Sequence, residues 1–331
     1  MDPMFGMRFD LRVPGMAPAA IAREYRTAID MAQWADEKGA LNIGVSEHHC
    51  SEDGYLPAPL ILAAAMAAVT RNVQILVAAA LLPMYDPVRL AEEMIVLDYV
   101  SQGRVSYILG IGYRPVEYQL YQLDYEERGA IADRKIDQLL HVLRQASDAQ
   151  AMPRVTPASF TPGRPRIMWG GATKAAARRA GRNGLPFFAQ TNTPGLAETY
   201  AAAARAAGFE PGPCLLPSPE MPSIVFVNPD IDVGWKEVGP YLLADATAYA
   251  EWNKDADRPT VSLSQGKTVE ALRAEGGAHR VVDVEGAVAL IKRWGRLPLH
   301  PLCGGCPPDL AWSYLRRVAD QVLPALAPQG G

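Results

Sequence analysis

Residues 73–112, "VQILVAAALLPMYDPVRLAEEMIVLDYVSQGRVSYILGIG", read as a strand, a helix and a second strand. The run "VQILVAAALL" (73–82) is apolar without alternation, the pattern of a strand buried on both faces of a parallel sheet. Asp86 and Pro87 then supply an N-cap and a first helical residue, and Leu90, Ala91, Met94 and Leu97 recur on one helical face. Gly103 closes the helix, and "RVSYILGIG" (104–112) is again a continuous apolar strand. Two buried strands joined by one helix make a βαβ crossover, which is right-handed in a parallel sheet.

The same unit recurs on both sides at a period of about thirty residues, which is the length of a βα repeat. Upstream lie "RFDLRV" (8–13), a helix from Ala17 to Gly39 with Ile21, Tyr25, Ile29 and Ala32 on its inward face, and "LNIGV" (41–45). A helix near 57–70 precedes the quoted block. Downstream come a helix around 128–146, the strand "RIMWGG" (166–171), a helix from Thr173, and the strands "LPFFAQT" (185–191), "SIVFVN" (223–228) and "LPLHPL" (297–302). A last helix from Asp309 to about Leu323 puts Leu315, Val318 and Val322 on one stripe. Roughly eight βα units predict an α/β fold of the TIM (β/α)8 barrel type rather than an open doubly wound sheet. Residues 111–128 and 229–296 read as insertions after strands 4 and 7, with helical patches such as "PYLLADATAYAEWN" and "VEGAVALIKRWG" in the second. The whole is read as one domain over 7–328, and "MDPMFG" (1–6) as a tag or upstream start.

Composition narrows the function classes. Nearly half of the 331 residues are apolar and the formal charge is -4, so a large core is expected and a basic face for nucleic acid is not. The longest apolar stretch, about 55–69, is broken by Pro57 and Pro59 and too short to span a bilayer. The start lacks the charged-then-apolar layout of a signal peptide, so a cytoplasmic protein is the expectation. Four cysteines in this length are not a disulfide framework. Cys303 and Cys306 form a C-x-x-C, "CGGC", read as a glycine turn flanked by cysteine, and no second pair completes a zinc site. Trp34, Trp235, Trp252, Trp294 and Trp312 read as packing residues.

Three stretches can carry chemistry. In "SEHHC" two of the chain's five histidines are adjacent, His48 and His49. Adjacent residues of an extended chain point to opposite faces, so the pair does not converge on a metal as H-x-H would, and no metal site is expected. One imidazole faces the mouth of the barrel and the other the wall; a loop histidine capping backbone groups is the competing structural reading. "WGGATKAAARR" puts Gly170, Gly171, Ala172 and Thr173 between a strand and a helix start, where free N–H groups suit a phosphate, though Gly-Gly also serves merely to turn the chain. "GIGYRPVEY" lets something flat approach Gly110 and Gly112, with Tyr113, Arg114 and Glu117 either touching a ligand or pinning the loop as an Arg–Glu pair.

Together these stretches resemble the bacterial luciferase-like family of flavin- or deazaflavin-dependent oxidoreductases. The likeness is carried by "SEHHCSEDGY", by the long block "AAALLPMYDPVRLAEEMIVLDYVSQGRVSYILGIGYRPVEY", by "RIMWGGATKAAARRAGRNGLPFFAQT" and by "LPLHPLCGGCPPDLAW". The resemblance implies a barrel with the tricyclic ring across its C-terminal mouth. His48 would lie beside the ring as acid/base. Ala79 and Ala80 match the bulge behind the ring, often the place of a non-proline cis peptide. Gly170, Gly171, Ala172 and Thr173, with Thr191, match the phosphate side, and Tyr113, Arg114 and Glu117 the loop over the ring or ribityl chain. Ile111 stands where the luciferases carry an arginine, and the phosphate loop lacks the acid-and-serine pattern of light-emitting members, so light emission is not expected.

The resemblance further implies either of two cofactors. With reduced FMN, supplied by a separate flavin reductase, the reaction is monooxygenation of a small organic substrate. With the deazaflavin coenzyme F420, it is hydride transfer. No G-x-G-x-x-G dinucleotide fold is evident in the chain, which accords with a separate reductase. A non-catalytic flavin-binding protein and a metal-dependent barrel hydrolase are the readings from other classes. A homodimer is expected from the resemblance.

Overall fold

A computed structural model describes residues 4–15, 17–254 and 263–326. In chain order the elements are β1 (Phe5–Phe9), α1 (Pro18–Glu37), β2 (Asn42–Val45), α2 (Pro59–Val69), β3 (Gln74–Leu81), α3 (Pro87–Ser101), β4 (Val105–Gly110), α4 (Pro115–Leu120), α5 (Arg128–Ala146), β5 (Arg166–Gly171), α6 (Lys174–Arg182), β6 (Phe187–Ala189), α7 (Leu196–Ala206), β7 (Cys214–Leu215), β8 (Ile224–Val227), α8 (Ile231–Trp252), α9 (Val269–Glu275), β9 (His279–Val282), α10 (Val284–Trp294), β10 (Leu297–Leu299) and α11 (Pro308–Arg317). Where the sequence reads as one domain over 7–328, the packing groups into two compact units. One comprises Val45–Cys50 and Pro57–Pro217; the other comprises Met1–Gly44, Ser51–Leu56 and Ser218–Gly331.

The unit built on Pro57–Pro217 holds five parallel strands in the order β3-β4-β5-β6-β7. Its core is the apolar run predicted for strands buried on both faces: Ile75, Val77, Tyr107, Leu109, Trp169 and Phe187 have no exposed surface. Each such side chain contributes about 1.5–3 kcal/mol of transfer free energy. The helix α3 is built as the sequence reads. Asp86 accepts hydrogen bonds from the N–H groups of Val88 and Arg89, both at 2.9 Å, and Leu90, Ala91, Met94 and Leu97 are buried. The chain leaves the helix through left-handed Gln102 (φ 54) and Gly103 (φ 77). Strand β3 is irregular: its register against β4 slips between Ala78 and Ala80, leaving Ala79 as the extra residue of a bulge, and the Ala78–Ala79 peptide is cis. Residues 111–128 are not a plain loop, since α4 docks Tyr118 against Leu81 and Met84.

In the other unit β1 pairs in parallel with β10, Phe5 opposite Leu297, and β8 pairs in parallel with β9, Ile224 opposite His279. Several expectations are corrected here. The first strand begins at Phe5, ahead of the domain start read at residue 7, and the Phe5 side chain is fully buried. Of the stripe Ile21, Tyr25, Ile29 and Ala32 read for α1, Ala32 is buried and the other three are half-buried at the flank; the buried face runs through Glu24, Thr27, Ala28, Met31, Ala32 and Ala35. The segment 229–296 is more than an insertion after a seventh strand. It carries strand β9, and α8, α9 and α10 alternate with it, so the βα pattern continues through the region. Residues 255–262 of that segment, and the end of the domain read to 328, lie outside the described residues. Strand β7 was too short to signal itself in sequence.

"CGGC" is a turn, and the structure supplies its reason. Gly304 (φ 59) and Gly305 (φ 82) are left-handed, and a Cβ on Gly304 would lie 2.1 Å from the Tyr241 carbonyl oxygen. Both cysteines are buried; burial lifts the Cys303 thiol well above its ordinary range and pushes that of Cys306 up to about 12. Neither is a thiolate nucleophile. No helix among the described residues is long and apolar enough to cross a membrane.

Candidate active site

Parallel strands present their C-terminal ends side by side, and βα loops there carry chemistry. In the five-stranded unit those ends are Leu81, Gly110, Gly171, Ala189 and Leu215. The segment Val45–Cys50 brings the two histidines into the same unit. His48 and His49 are both buried, and each imidazole has its own carboxylate. His48 Nδ1 is 2.8 Å from Glu117 Oε1, and His49 Nε2 is 2.9 Å from Glu47 Oε1. The rings diverge, one toward Tyr113 and one edge-on to Tyr121. They do not converge on a shared ion.

Glu117 organises the His48 side. Its Oε1 also accepts the His49 backbone N–H at 3.0 Å and lies 3.4 Å from Arg114 Nη1. Burial pushes this carboxyl up, but the His48 hydrogen bond and charge, the His49 N–H and Arg114 outweigh it and hold the group below the usual carboxylate range. An ionised Glu117 fixes the proton of His48 on Nδ1, so Nε2 carries the lone pair and accepts from the Tyr113 hydroxyl at 3.2 Å. That arrangement sets one imidazole nitrogen against the Tyr113 hydroxyl and holds the other by an acid, a geometry able to move a proton.

Glu47 organises the other side, and sequence reasoning passed over it. Its Oε2 accepts the Leu81 backbone N–H at 3.0 Å and the Tyr85 hydroxyl at 2.9 Å, while Oε1 takes His49. His49, unassigned in the sequence, thus braces the carboxylate that fixes the end of the β3 bulge. Lys135 adds a second brace by donating to the carbonyl oxygens of Pro83 and Tyr85 at 2.6 and 2.7 Å. The only sequence signal for Glu47 was its place beside the histidines.

The other residues read as site candidates separate into two groups. Ala79 and Ala80 form the bulged, small-residue end of β3, and a Cβ on Gly110 would meet Ala79 Cβ at 3.3 Å, so β4 presses against the bulge with only hydrogen between. Tyr113 stands over His48. Arg114 places its guanidinium on the carbonyl oxygens of His49 and Cys50 and on Glu117, and so pins the loop. Glu117 is fully buried and is a support for His48.

At the far end of this row, β5 closes on Gly170 and Gly171. A Cβ on Gly170 would sit 2.7 Å from Ile108 Cγ2, and one on Gly171 (φ 153) 2.6 Å from Ala176 Cβ. Ala172 follows, and Thr173 caps α6 by accepting the Ala176 N–H at 3.1 Å. The earlier N–H groups of the first turn then point outward at the positive end of the helix. Gln190 N donates to the Gly171 carbonyl at 3.1 Å, which lays the Thr191–Thr193 hydroxyl pair alongside. Small residues, free N–H groups and neutral hydroxyls suit an anion such as a phosphoester.

The residues from Met4 to Ala287 match the family described as luciferase-like monooxygenase. The chain belongs to that family. It is 28% identical to N-acetyl-S-alkylcysteine monooxygenase of Bacillus subtilis over 164 residues, 48% of each chain. The chain spans between about a third and a half of the lengths of such curated relatives. Among solved structures, this luciferase-like chain is similar to the oxygenating constituent of 3,6-diketocamphane monooxygenase from Pseudomonas putida in complex with FMN, with TM-score 0.65, 20% identity and coverage of 98% and 99%. It is also similar to the coenzyme F420 dependent tetrahydromethanopterin reductase of Methanopyrus kandleri, with TM-score 0.57, 12% identity and coverage of 98% and 99%. These likenesses show a shared TIM-like α/β fold.

Proposed function

We propose that this luciferase-like protein is an oxidoreductase that holds reduced FMN at the C-terminal ends of β3, β4 and β5 and monooxygenates a small organic substrate. One observation carries the reading: a buried imidazole, His48, is held by an ionised carboxylate on Nδ1 and meets the Tyr113 hydroxyl on Nε2, a chain along which a proton can move. It belongs to the same unit as a small-residue strand end and an anion cradle.

The residues present fit such a cofactor. Ala79, partly buried at the end of β3 and backed by the buried Ala80 and Gly110, offers a side-chain-poor edge for a tricyclic ring, and Gly170, Gly171, Ala172, Thr173 and Thr191 suit its phosphate. When bound, a reduced flavin supplies two electrons to oxygen, and one oxygen atom passes to the substrate. The chain's own work is to hold the ring, exclude water, and move a proton at His48 Nε2, with Tyr113 its first hydrogen-bond partner. A separate flavin reductase would supply the reduced cofactor.

The second reading is hydride transfer with coenzyme F420 on the same surface, favoured by the fold likeness to F420-dependent enzymes. Oxygen uptake with chemically reduced FMN supports the first reading; binding and redox turnover of F420 without oxygen uptake supports the second. A metal-dependent hydrolase does not fit the donor chemistry. Asp245, His300 and Cys303 converge within 4.8 Å, but Arg8 donates to His300 Nδ1 at 3.1 Å, which leaves the ring proton on Nε2, and the Cys303 thiol is held protonated by burial. A cation there would also face two guanidiniums.

A further inference from the structure

His48 is 6% exposed, and both of its ring nitrogens are engaged, Nδ1 with Glu117 at 2.8 Å and Nε2 with the Tyr113 hydroxyl at 3.2 Å. Tyr113 is half-buried, so it is the more exposed end of the chain from Glu117 through His48 to Tyr113. A buried base whose accepting nitrogen is already covered by a phenol reaches a reactant through that phenol.

The backbone that carries the phenol is locked on both sides. Gly112 is left-handed (φ 73) and turns the chain after β4. The Tyr118 hydroxyl donates to the Ile111 carbonyl oxygen, and the Tyr125 hydroxyl to that of Tyr113 at 3.1 Å. Arg114 ties the next residue to the carbonyl oxygens of His49 and Cys50. The Tyr113 ring stands edge-on to the imidazole, with 5.3 Å between centroids. These contacts fix where the hydroxyl points, as a group that passes a proton requires.

We infer that the Tyr113 hydroxyl is the group through which His48 exchanges a proton with the bound reactants, and that His48 and Glu117 form its relay. The inference rests on the oxidoreductase reading above. With His48 neutral and protonated on Nδ1, its Nε2 accepts from Tyr113, which leaves the lone pairs of the phenol oxygen to face a reactant. A proton leaving the reactant goes to Tyr113 Oη as the hydroxyl proton passes to His48 Nε2. One O–H bond forms and one breaks on the phenol, and the electron pair stays with the reactant. His48 becomes an imidazolium beside the ionised Glu117, and the reverse order returns the proton.

Tyr113→Phe removes the hydroxyl and keeps the ring. At saturating cofactor its kcat should fall by about 100- to 10,000-fold, the span of a lost acid–base group, with cofactor affinity little changed. The double variant Tyr113→Phe/His48→Ala should lose no more than either single one, since the two residues act as one unit. A phenol that only latched the loop would instead weaken cofactor binding and raise KM at unchanged kcat. A second measurement uses the full-length protein with no cofactor added. Histidine 15N NMR above neutral pH should show His48 protonated on Nδ1, and the Nε2 resonance should move toward that of an unbonded lone pair in Tyr113→Phe. Normal kcat in Tyr113→Phe, additive losses in the double variant, a wild-type His48 protonated on Nε2, or an Nε2 resonance indifferent to the substitution would overturn the inference. Each of these leaves cofactor binding and turnover by the wild type as they are, so failure here is distinct from failure of the oxidoreductase reading.

Discussion

Glu117 Oε1 stands 2.8 Å from His48 Nδ1, with both side chains buried and the same oxygen taking the His49 N–H. That one contact orients the imidazole that we propose as the base. Glu117→Gln keeps the shape and removes the charge. Turnover is expected to fall by about 10- to 100-fold, with the acid limb of the rate profile moving to lower pH as the imidazolium loses its counter-charge. Stability should also change with a defined sign. Glu117 has a lowered pKa in the fold, so its contribution is present above the unfolded value and lost as pH falls through the folded one. The wild type should therefore lose stability in acid more steeply than the variant, measured by urea melts from neutral pH downward.

Glu47 makes a different demand. It anchors Leu81 N and Tyr85 at the end of the bulge, so Glu47→Gln should loosen the surface on which the ring rests rather than the proton step. FMN affinity is expected to drop by about tenfold, the worth of about 1.4 kcal/mol, with the pH profile of residual turnover unshifted. Fluorescence titration with FMN reads the first and steady-state rates the second.

Much of this was legible in the sequence, and the reasons are particular. Asp86-Pro87 announced α3 because a cap and a fixed φ are local chemistry, and the glycine turn in "CGGC" was visible because only glycine tolerates the approach of Tyr241. The start of β1 at Phe5 was not legible, because a five-residue strand that pairs with residues 297–299 draws its order from the far end of the chain. The role of Arg114 was undecided for the same kind of reason. Whether a guanidinium reaches a ligand or the carbonyls of His49 and Cys50 depends on where a segment 64 residues away returns. Glu47 and Glu117 are both acids near histidines in space, and only the fold tells which acid holds which ring.

Gly171→Ala tests the anion cradle. Its φ of 153° is one that L side chains rarely adopt, and the added Cβ would lie 2.6 Å from Ala176 Cβ in the first turn of α6. The expected outcome is a loss of about 1–3 kcal/mol in stability, as for other overpacked sites, together with weakened binding of FMN relative to riboflavin, which lacks the phosphate. Paired titrations with the two flavins separate the phosphate contribution from the ring's.

Glu24, buried on α1 with Oε1 unpartnered, has its pKa raised from 4.5 to about 8, first by burial and then by Asp10. A carboxyl raised in the fold binds its proton more tightly there than in the unfolded chain. Its stabilising contribution is present at low pH and is lost as pH rises through the folded value. The melting temperature of the wild type should fall between about pH 5 and pH 8 more than that of Glu24→Gln, which carries no titrating proton. Equal slopes in differential scanning fluorimetry would remove this role from Glu24.

His48→Ala addresses the centre of the account. Glu117 keeps its His49 N–H and Arg114 partners in that variant, so the fold should survive. The decisive measurement is anaerobic titration of wild type and His48→Ala with reduced FMN and with F420, followed by turnover at saturating cofactor. One tricyclic cofactor should bind both proteins with similar affinity, while turnover falls by about 100- to 10,000-fold in the variant, the span of a lost general acid–base group. Binding of neither cofactor to the wild type, or normal turnover by His48→Ala, would contradict it.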